Sequence, residues 1–198
     1  MATTVNYVKF IPLTLRKTLS DNKSEAVLQF VVRAGYPRIT VITDTSKYID
    51  ETTKKINHEY VATLTFDYVN MFNLIEGFKS VLTKTEDSSF SVCSYNNVFK
   101  DGKRTDDVEL RGKVTIKKVS GVMSINIEEK NKSAVTFKVL PSSKWFKYLD
   151  ENGNPITNEV TLSTMHSKSY YARLVSAFTE QYKKDYSITS EVEVDATK

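Results

Sequence analysis

The same pattern of apolar side chains occurs twice in this chain, one hundred residues apart. In each copy the apolar residues are spaced i, i+3, i+4, i+7 and i+11, which places them along one stripe of an α-helix. The copies consist of Met71, Leu74, Ile75, Phe78 and Leu82, and of Tyr171, Leu174, Val175, Phe178 and Tyr182. A short β-type run precedes each copy, at residues 63–65 and 161–163. The repeated unit is therefore strand, turn and helix, and it predicts a duplicated architecture.

The first half of the chain reads as four strands and a helix. Turn or loop residues separate its β-type runs, which lie at about residues 7–17, 25–34, 37–44 and 58–66. Asp67 is suited to cap a helix over residues 68–83. The order of these elements predicts a ββββα unit.

The second half repeats this order with one more strand. Its β-type runs lie near residues 90–99, 108–119, 122–129, 134–140 and 158–163. Asp101-Gly102 and Gly121 are typical of hairpin turns. Ser167 or Ser169 can cap a helix over residues 168–184. This half is therefore also predicted to be a β-meander followed by a helix.

Sequential strands with short turns form antiparallel sheets, and each helix must bury its apolar stripe. We therefore predict an α+β fold with two antiparallel sheets, each followed by a helix, related by a pseudo-twofold axis. Residues 1–186 are expected to form a single domain of two repeats, about 1–84 and 90–186. Residues 187–198, which contain three carboxylates and no packing pattern, are predicted to form a flexible acidic C-terminal tail.

Amino-acid composition says more about the cellular compartment of this protein than about its activity. Lysine and arginine number 28 against 24 aspartates and glutamates, so the net charge of +4 permits an anionic partner without requiring one. Cys93 is the only cysteine, which excludes an intrachain disulfide and suits a reducing compartment. No apolar run reaches the roughly 20 residues of a membrane span, and no signal-peptide pattern opens the chain. We expect a cytoplasmic protein, in the host cytoplasm if the source is viral, with no membrane partner.

Alternation along residues 110–117 predicts a basic sheet face. In a strand, Leu110, Val114 and Ile116 would point to one side and the intervening basic residues to the other. A face of this kind can follow a phosphate backbone. The candidate binding residues here are Arg111, Lys113, Lys117 and, from a later strand, Lys138. The alternative is an ordinary solvated face on which lysine only discourages aggregation.

Two further groups mix cations with aromatic rings. Proteins that bind single-stranded nucleic acids use this combination, in which the cations contact phosphates and the rings stack on bases. One group consists of Lys144, Trp145, Lys147 and Tyr148, and the other of Arg33, Tyr36 and Arg38. In the alternative interpretation, Trp145 is a core residue and Tyr36 simply packs.

Enzyme chemistry finds little support in the sequence. Only His58 and His166 are present, and with Cys93 they do not make a typical metal site. A superficial calcium-loop pattern begins at Asp150, but its glycine and its final ligand stand at the wrong positions. No glycine-rich phosphate loop or Gly-x-Ser-x-Gly element occurs. We therefore expect no enzyme activity, no cofactor and no metal.

The ββββα-like units and basic face resemble the Whirly proteins and the wider family of single-stranded-DNA-binding transcriptional regulators related to the coactivator positive cofactor four. Locally, the run from Arg111 to Ile116, Arg-Gly-Lys-Val-Thr-Ile, is similar to the Whirly motif Lys-Gly-Lys-Ala-Ala-Leu, with Val114-Thr115 in place of two alanines. The run lies in the second unit rather than the first. No plant-type transit segment precedes the domain, so the resemblance implies a microbial or phage member.

The resemblance implies sequence-independent binding of single-stranded DNA, with RNA as the alternative ligand, in replication, recombination, repair or transcription. It also implies a homo-oligomer formed through helices 68–83 and 168–184. A second hypothesis of a different class is a structural or assembly protein, such as a virion component, without affinity for nucleic acid.

Overall fold

Two four-stranded antiparallel sheets and two helices form the structure, a computed structural model that describes residues 8–18, 25–44, 59–141 and 147–195. Side chains are described over residues 14–16, 26–42, 62–141 and 147–185. The elements in chain order are β1 Val8–Thr18, β2 Glu25–Arg33, β3 Tyr36–Asp44, β4 Glu59–Thr65, α1 Tyr68–Thr83, β5 Ser88–Lys100, β6 Lys103–Val119, β7 Val122–Glu129, β8 Val135–Lys138 and α2 Glu159–Asp195.

Each sheet is a simple meander. The strand orders are β1-β2-β3-β4 and β5-β6-β7-β8, so every strand pairs with its neighbours in sequence. The predicted α+β class with two antiparallel sheets is confirmed. Three hairpins turn on two residues that both have positive φ, the pattern of a type I′ turn. These turns are Ala34-Gly35, Asp101-Gly102 and Ser120-Gly121.

Helix α1 has the boundaries that the sequence predicts. Asp67 caps it, because its Oδ1 accepts a hydrogen bond from the backbone N–H of Asn70 at 2.7 Å. Four residues of the predicted stripe, Met71, Leu74, Ile75 and Phe78, are buried. Local signals, a cap and an apolar period, were sufficient here.

The predicted fifth strand of the second half, residues 158–163, is wrong. Asn158 caps a helix at this point: its Oδ1 accepts from the backbone N–H of Thr161 at 3.0 Å, and its carbonyl accepts from Leu162 N–H at 3.0 Å. Helix α2 therefore begins at Glu159. The β-branched Val160 and Thr161 suggested a strand, but the cap and the helical hydrogen bond prevail.

Helix α2 is also longer than the predicted span of residues 168–184. It contains 37 residues and ends at Asp195. It thus includes most of residues 187–198, the segment predicted as a flexible acidic tail, of which residues 196–198 lie outside the described part of the chain.

Buried residues from both halves of the chain form one hydrophobic cluster. The ring of Phe30 in β2 lies 6.0 Å from the ring of Phe178 and 6.3 Å from that of Tyr170, both in α2. Phe30 also lines a small cavity together with Val114 of β6 and Leu74 of α1. The apolar stripes of both helices are therefore buried within their own chain. Self-association through these helices stays a prediction, and it would have to use their other faces.

None of the helices in the described segments combines the length and the apolar character needed to cross a bilayer.

Candidate nucleic-acid interface

The outer face of the second sheet, formed by β5 to β8 on the side away from the core, is polar as the alternation predicts. Val114 and Ile116 are buried on the inner side, whereas Lys117 is exposed. Hydroxyl and amide groups connect neighbouring strands on the outer side. Ser91 Oγ lies 2.9 Å from Thr115 Oγ1, and Thr136 Oγ1 donates to Asn126 Oδ1 at 2.8 Å.

Most positive charges on this outer face already have carboxylate partners. Lys113 Nζ lies 3.2 Å from Glu128 Oε2, and Lys138 Nζ lies 2.7 Å from Glu159 Oε1. Within the described residues, Lys117 has no ion-pair partner. Three lysines and two carboxylates leave the face only weakly positive.

The strand β6 contains a bulge where the sequence predicts regular alternation. Ser94 pairs with Gly112 while the next residue, Tyr95, pairs with Leu110, so Arg111 is the extra residue. The prediction that Leu110 faces inward is wrong, because this side chain is 45% exposed. The bulge interrupts the period of two on which that prediction depends.

Arg111 joins the two sheets rather than projecting from the outer face. Its Nε and Nη2 donate to the carbonyl oxygen of Thr63, on edge strand β4 of the first sheet, at 3.4 Å and 3.3 Å. Glu129 Oε2 accepts from the backbone N–H of Thr63 at 2.9 Å, and Glu129 Oε1 lies 3.5 Å from Arg111 Nη2. We call Arg111, Glu129 and Thr63 the inter-sheet clamp. It satisfies both backbone groups of one edge-strand residue.

The first sheet contributes two more arginines near Arg111. In the β2–β3 hairpin Arg33 pairs with Tyr36, and Arg38 follows two residues later on the same side of the strand as Tyr36. Burial lowers the pKa of the Arg38 guanidinium, and the positive charges of Arg33 and Arg111 lower it further. Arg38 is therefore near enough to Arg33 and to Arg111 for each of their charges to act on it. We call Arg33, Arg38 and Arg111 the arginine cluster.

Within the cluster, neither Arg33 nor Arg38 forms an ion pair with another described residue. Arg33 is exposed, and the Nε of Arg38 is buried without a hydrogen-bond partner among the described residues. Beside them, Tyr36 is 56% exposed. The sequence grouped Arg33, Tyr36 and Arg38 but placed Arg111 on a separate surface. It also missed Glu129 and Thr63, because a pairing across 66 residues leaves no local pattern.

The Lys144–Tyr148 group is described only in part. Lys144 and Trp145 lie outside the described residues. Lys147 and Tyr148 are exposed and line a cleft beside the start of α2, together with Leu140, Ile156 and Leu162. Their role as nucleic-acid ligands stays a prediction.

Among the residues that the structure describes, no three histidine, cysteine, aspartate or glutamate side chains are grouped in a way that could hold a metal ion.

No family model, curated protein or solved structure matches this chain. The geometry defines an α+β protein with two ββββα units and an arginine cluster where the sheets meet. The resemblance to the Whirly proteins stays a prediction that depends on element order and one six-residue run.

Proposed function

We propose that this protein binds single-stranded DNA, largely without regard to sequence, and that the arginine cluster with Tyr36 is the main contact. The observation that supports this most is that the charges of Arg33 and Arg111 both act on Arg38, with Glu129 as the only carboxylate paired to any of the three among the described residues. Holding like charges together costs free energy, which a bound anion would recover. A guanidinium fork matches the geometry of a phosphate group.

Tyr36 favours a single strand over a duplex. A half-exposed aromatic ring beside cations can stack on an unpaired base, and every base offers a π-face. In a duplex the bases are already stacked on each other, so the ring would add little. Participation in replication, recombination, repair or transcription follows from this activity as part of the proposal.

The test is a fluorescence anisotropy titration of a labelled oligothymidylate of about 30 nucleotides over a range of salt concentrations. We expect Arg33→Ala and Arg38→Ala each to lower the slope of log K against log salt by about 0.7, the value for one single-strand phosphate contact. Tyr36→Leu should cost about 1–3 kcal/mol of binding free energy and leave the slope unchanged.

Arg173→Ala is the matched control, because it removes one exposed arginine from helix α2 rather than from the cluster. If the wild-type protein fails to bind at about 50 mM salt, the proposal is wrong. If Arg173→Ala changes the slope as much as Arg38→Ala, binding is not localised at the cluster. Competition with duplex DNA and single-stranded RNA then determines which nucleic acid is preferred.

A role in assembly without nucleic-acid binding is supported by a different surface. Beyond the bulge, β5 and β6 form a hairpin arm with four exposed apolar side chains. These are Tyr95, Phe99, Val108 and Leu110, between 45% and 67% exposed. Tyr95 lies opposite Leu110, so the side chains form a stripe along one face. Exposed stripes of this kind mark interaction sites or aggregation hazards.

Light scattering of nuclease-treated protein tests this second function. A defined oligomer that persists at high salt and is lost in Phe99→Ser would support assembly through the arm. A monomer that binds the oligonucleotide would rule it out.

A further inference from the structure

The hairpin arm, residues 95–110, is a two-stranded ribbon without a third strand among the described elements. Its β6 part pairs only with β5, because the pairing of β6 with β7 begins at Gly112, opposite Glu129. The other strand, β5, is the edge of the second sheet. Two strands alone are only marginally stable in water unless their apolar face packs on another element. The arm would therefore gain stability if its exposed apolar side chains were covered.

The side chains on the apolar face of the arm form three cross-strand rows. From the base of the arm to its turn, the rows are Tyr95 with Leu110, Asn97 with Val108, and Phe99 with Arg104. Successive rows are separated by an even number of residues on both strands, so their side chains point to the same side. This side is the outer face of the second sheet, because Tyr95 follows two residues after the exposed Cys93.

A second copy of the arm, laid face to face and in the opposite direction, matches these rows. A twofold axis across the middle row places each strand over its own copy and exchanges the two outer rows. Tyr95 of one copy then faces Phe99 of the other, which gives two aromatic pairs. Leu110 faces Arg104, whose aliphatic stem can cover it while the guanidinium group stays in water.

In the middle row, Asn97 and Val108 each face their own copy. An amide contains both a donor and an acceptor, so Asn97 is its own complement across a twofold axis. Its Nδ2 also donates to the backbone carbonyl of Thr105 at 3.3 Å, which limits the cost of covering it. A polar group at the centre of an apolar face favours a partner with a matching amide at that point. A second copy of the chain provides one.

Charge also favours two copies in opposite directions. Residues 100–104, at the turn, contain three cations and one carboxylate, whereas residues 106–109 contain three carboxylates. The ion pairs that Lys100 and Glu109 form within the chain are exposed and therefore weak. In opposite directions the basic end of each arm lies beside the acidic part of the other, but in the same direction like charges meet. Arms in the same direction would also bring together two outer faces that each have more lysines than carboxylates.

We propose that two copies of this chain associate through their arms, face to face and in opposite directions, about a twofold axis at Asn97 and Val108. The inference rests on the assembly role proposed above for the arm, and it names the partner and the geometry. It uses none of Arg33, Tyr36 and Arg38, so it does not depend on DNA binding. A standard interface has about 20–30 residues on each side, so the smaller face of one arm predicts a weak dimer.

Sedimentation velocity of the nuclease-treated full chain tests the association. It is measured at about 50 mM salt and from about 5 to 500 µM protein, because a small interface with charges at its rim predicts weak, salt-sensitive binding. We expect a monomer–dimer equilibrium. Phe99→Ser removes both aromatic pairs and should weaken the dimer at least tenfold, and Arg104→Glu should weaken it at least fivefold. Val119→Ser, at an exposed apolar position at the other end of β6, is the matched control and should leave it unchanged.

Single cysteines test the direction of the arms, in a Cys93→Ser background that removes the native thiol. A short bismaleimide should join Leu110→Cys to Arg104→Cys when the two proteins are mixed, because opposite directions place these residues face to face. Leu110→Cys alone should not be joined to itself, because its copy lies four residues, about 13 Å, farther along the strands. Val108→Cys, on the axis, should be joined to itself.

The possible failures are distinguishable. A monomer at every concentration would overturn both this inference and the assembly role of the arm. A dimer that folded Phe99→Ser leaves unchanged would place the interface elsewhere and overturn the inference too. If Phe99→Ser abolishes the dimer but Leu110→Cys is joined to itself, the arms associate in the same direction, so the proposed geometry is wrong while the assembly role stands. Circular dichroism verifies the folding of each variant, and if Phe99→Ser is unfolded, Arg104→Glu and the cysteine pairs decide.

Discussion

A methyl group added at Gly77 of helix α1 should destabilise the protein, against the usual effect of this substitution. Alanine in a helix interior is favoured over glycine by about 1 kcal/mol. At this position, however, the added Cβ would lie 2.1 Å from Cδ1, 2.3 Å from Cε1 and 2.6 Å from Cγ of Phe90 in β5. Because the overlap reaches Cγ, rotating the ring about its own axis cannot remove it, and Phe90 or the helix has to move.

Overpacking of this kind costs about 1–3 kcal/mol, and the depth of the overlap points to the upper part of that range. Subtracting the helix-propensity gain leaves a net destabilisation of about 1–2 kcal/mol for Gly77→Ala. In a Phe90→Ala background the obstacle is absent, so the same substitution should stabilise by about 1 kcal/mol. The predicted coupling free energy between the two sites is therefore about 2–3 kcal/mol.

Equilibrium urea unfolding, followed by far-ultraviolet circular dichroism, measures the four free energies of this double-mutant cycle. The m-values have to agree for the comparison to hold. Asn73→Ala, at an exposed position of the same helix, serves as the control for helix propensity alone. If Gly77→Ala stabilises the wild type as much as it stabilises Phe90→Ala, the packing of α1 on β5 described above is wrong.

Two other predictions concern the clamp and a histidine. Glu129→Ala removes the acceptor of the Thr63 N–H and the partner of Arg111, so it should lower the free energy of unfolding in urea by about 1–3 kcal/mol. Glu129→Gln should lie between the wild type and Glu129→Ala. An unchanged urea midpoint would contradict the clamp. Burial, and then the charge of Arg173, lower the pKa of His166, so the unfolded chain takes up this proton first as pH falls. The stability that His166 contributes above a pH of about 6.5 should be lost as pH falls through its folded pKa. The His166→Gln variant should lose less stability over this range. Parallel pH profiles of the two proteins would refute this.

The sequence predicts this fold best where the signals are local. The bounds of helix α1 follow from Asp67 and an apolar stripe, and the hairpin turns follow from glycine positions that tolerate positive φ. The start of α2 was missed because Val160 and Thr161 favour a strand in isolation, while Asn158 supplies the cap that decides the conformation. A cap favours a helix and a β-branched pair favours a strand, and the sequence alone does not say which of the two prevails.

The candidate site was less predictable because it depends on pairings between distant segments. Alternation correctly placed Lys113 and Lys117 away from the buried Val114, but it could not reveal the carboxylates opposite them. The bulge at Arg111 changes the direction of that side chain, and Thr63, its partner, lies 48 residues away. Only the register of two separate sheets brings such groups together.

The two sheets offer a phosphate group different electrostatic settings, and this difference can be measured. On the second sheet a phosphate near Lys113 has to compete with Glu128, which faces that lysine across the strand pair. An exposed ion pair of this kind contributes about 0–1 kcal/mol, so competition is possible but reduces the gain.

Near the arginine cluster no carboxylate of the described residues pairs with Arg33 or Arg38, and a phosphate there would relieve the repulsion between their charges. We therefore expect the double variant Arg33→Ala/Arg38→Ala to lower the salt slope of oligothymidylate binding by about 1.4, which is two contacts at the single-strand value. Lys113→Ala/Lys117→Ala removes the same total charge, but its slope should fall by less, because Lys113 already has a partner. A larger fall for the lysine pair would move the interface from the arginine cluster to the outer face of the second sheet.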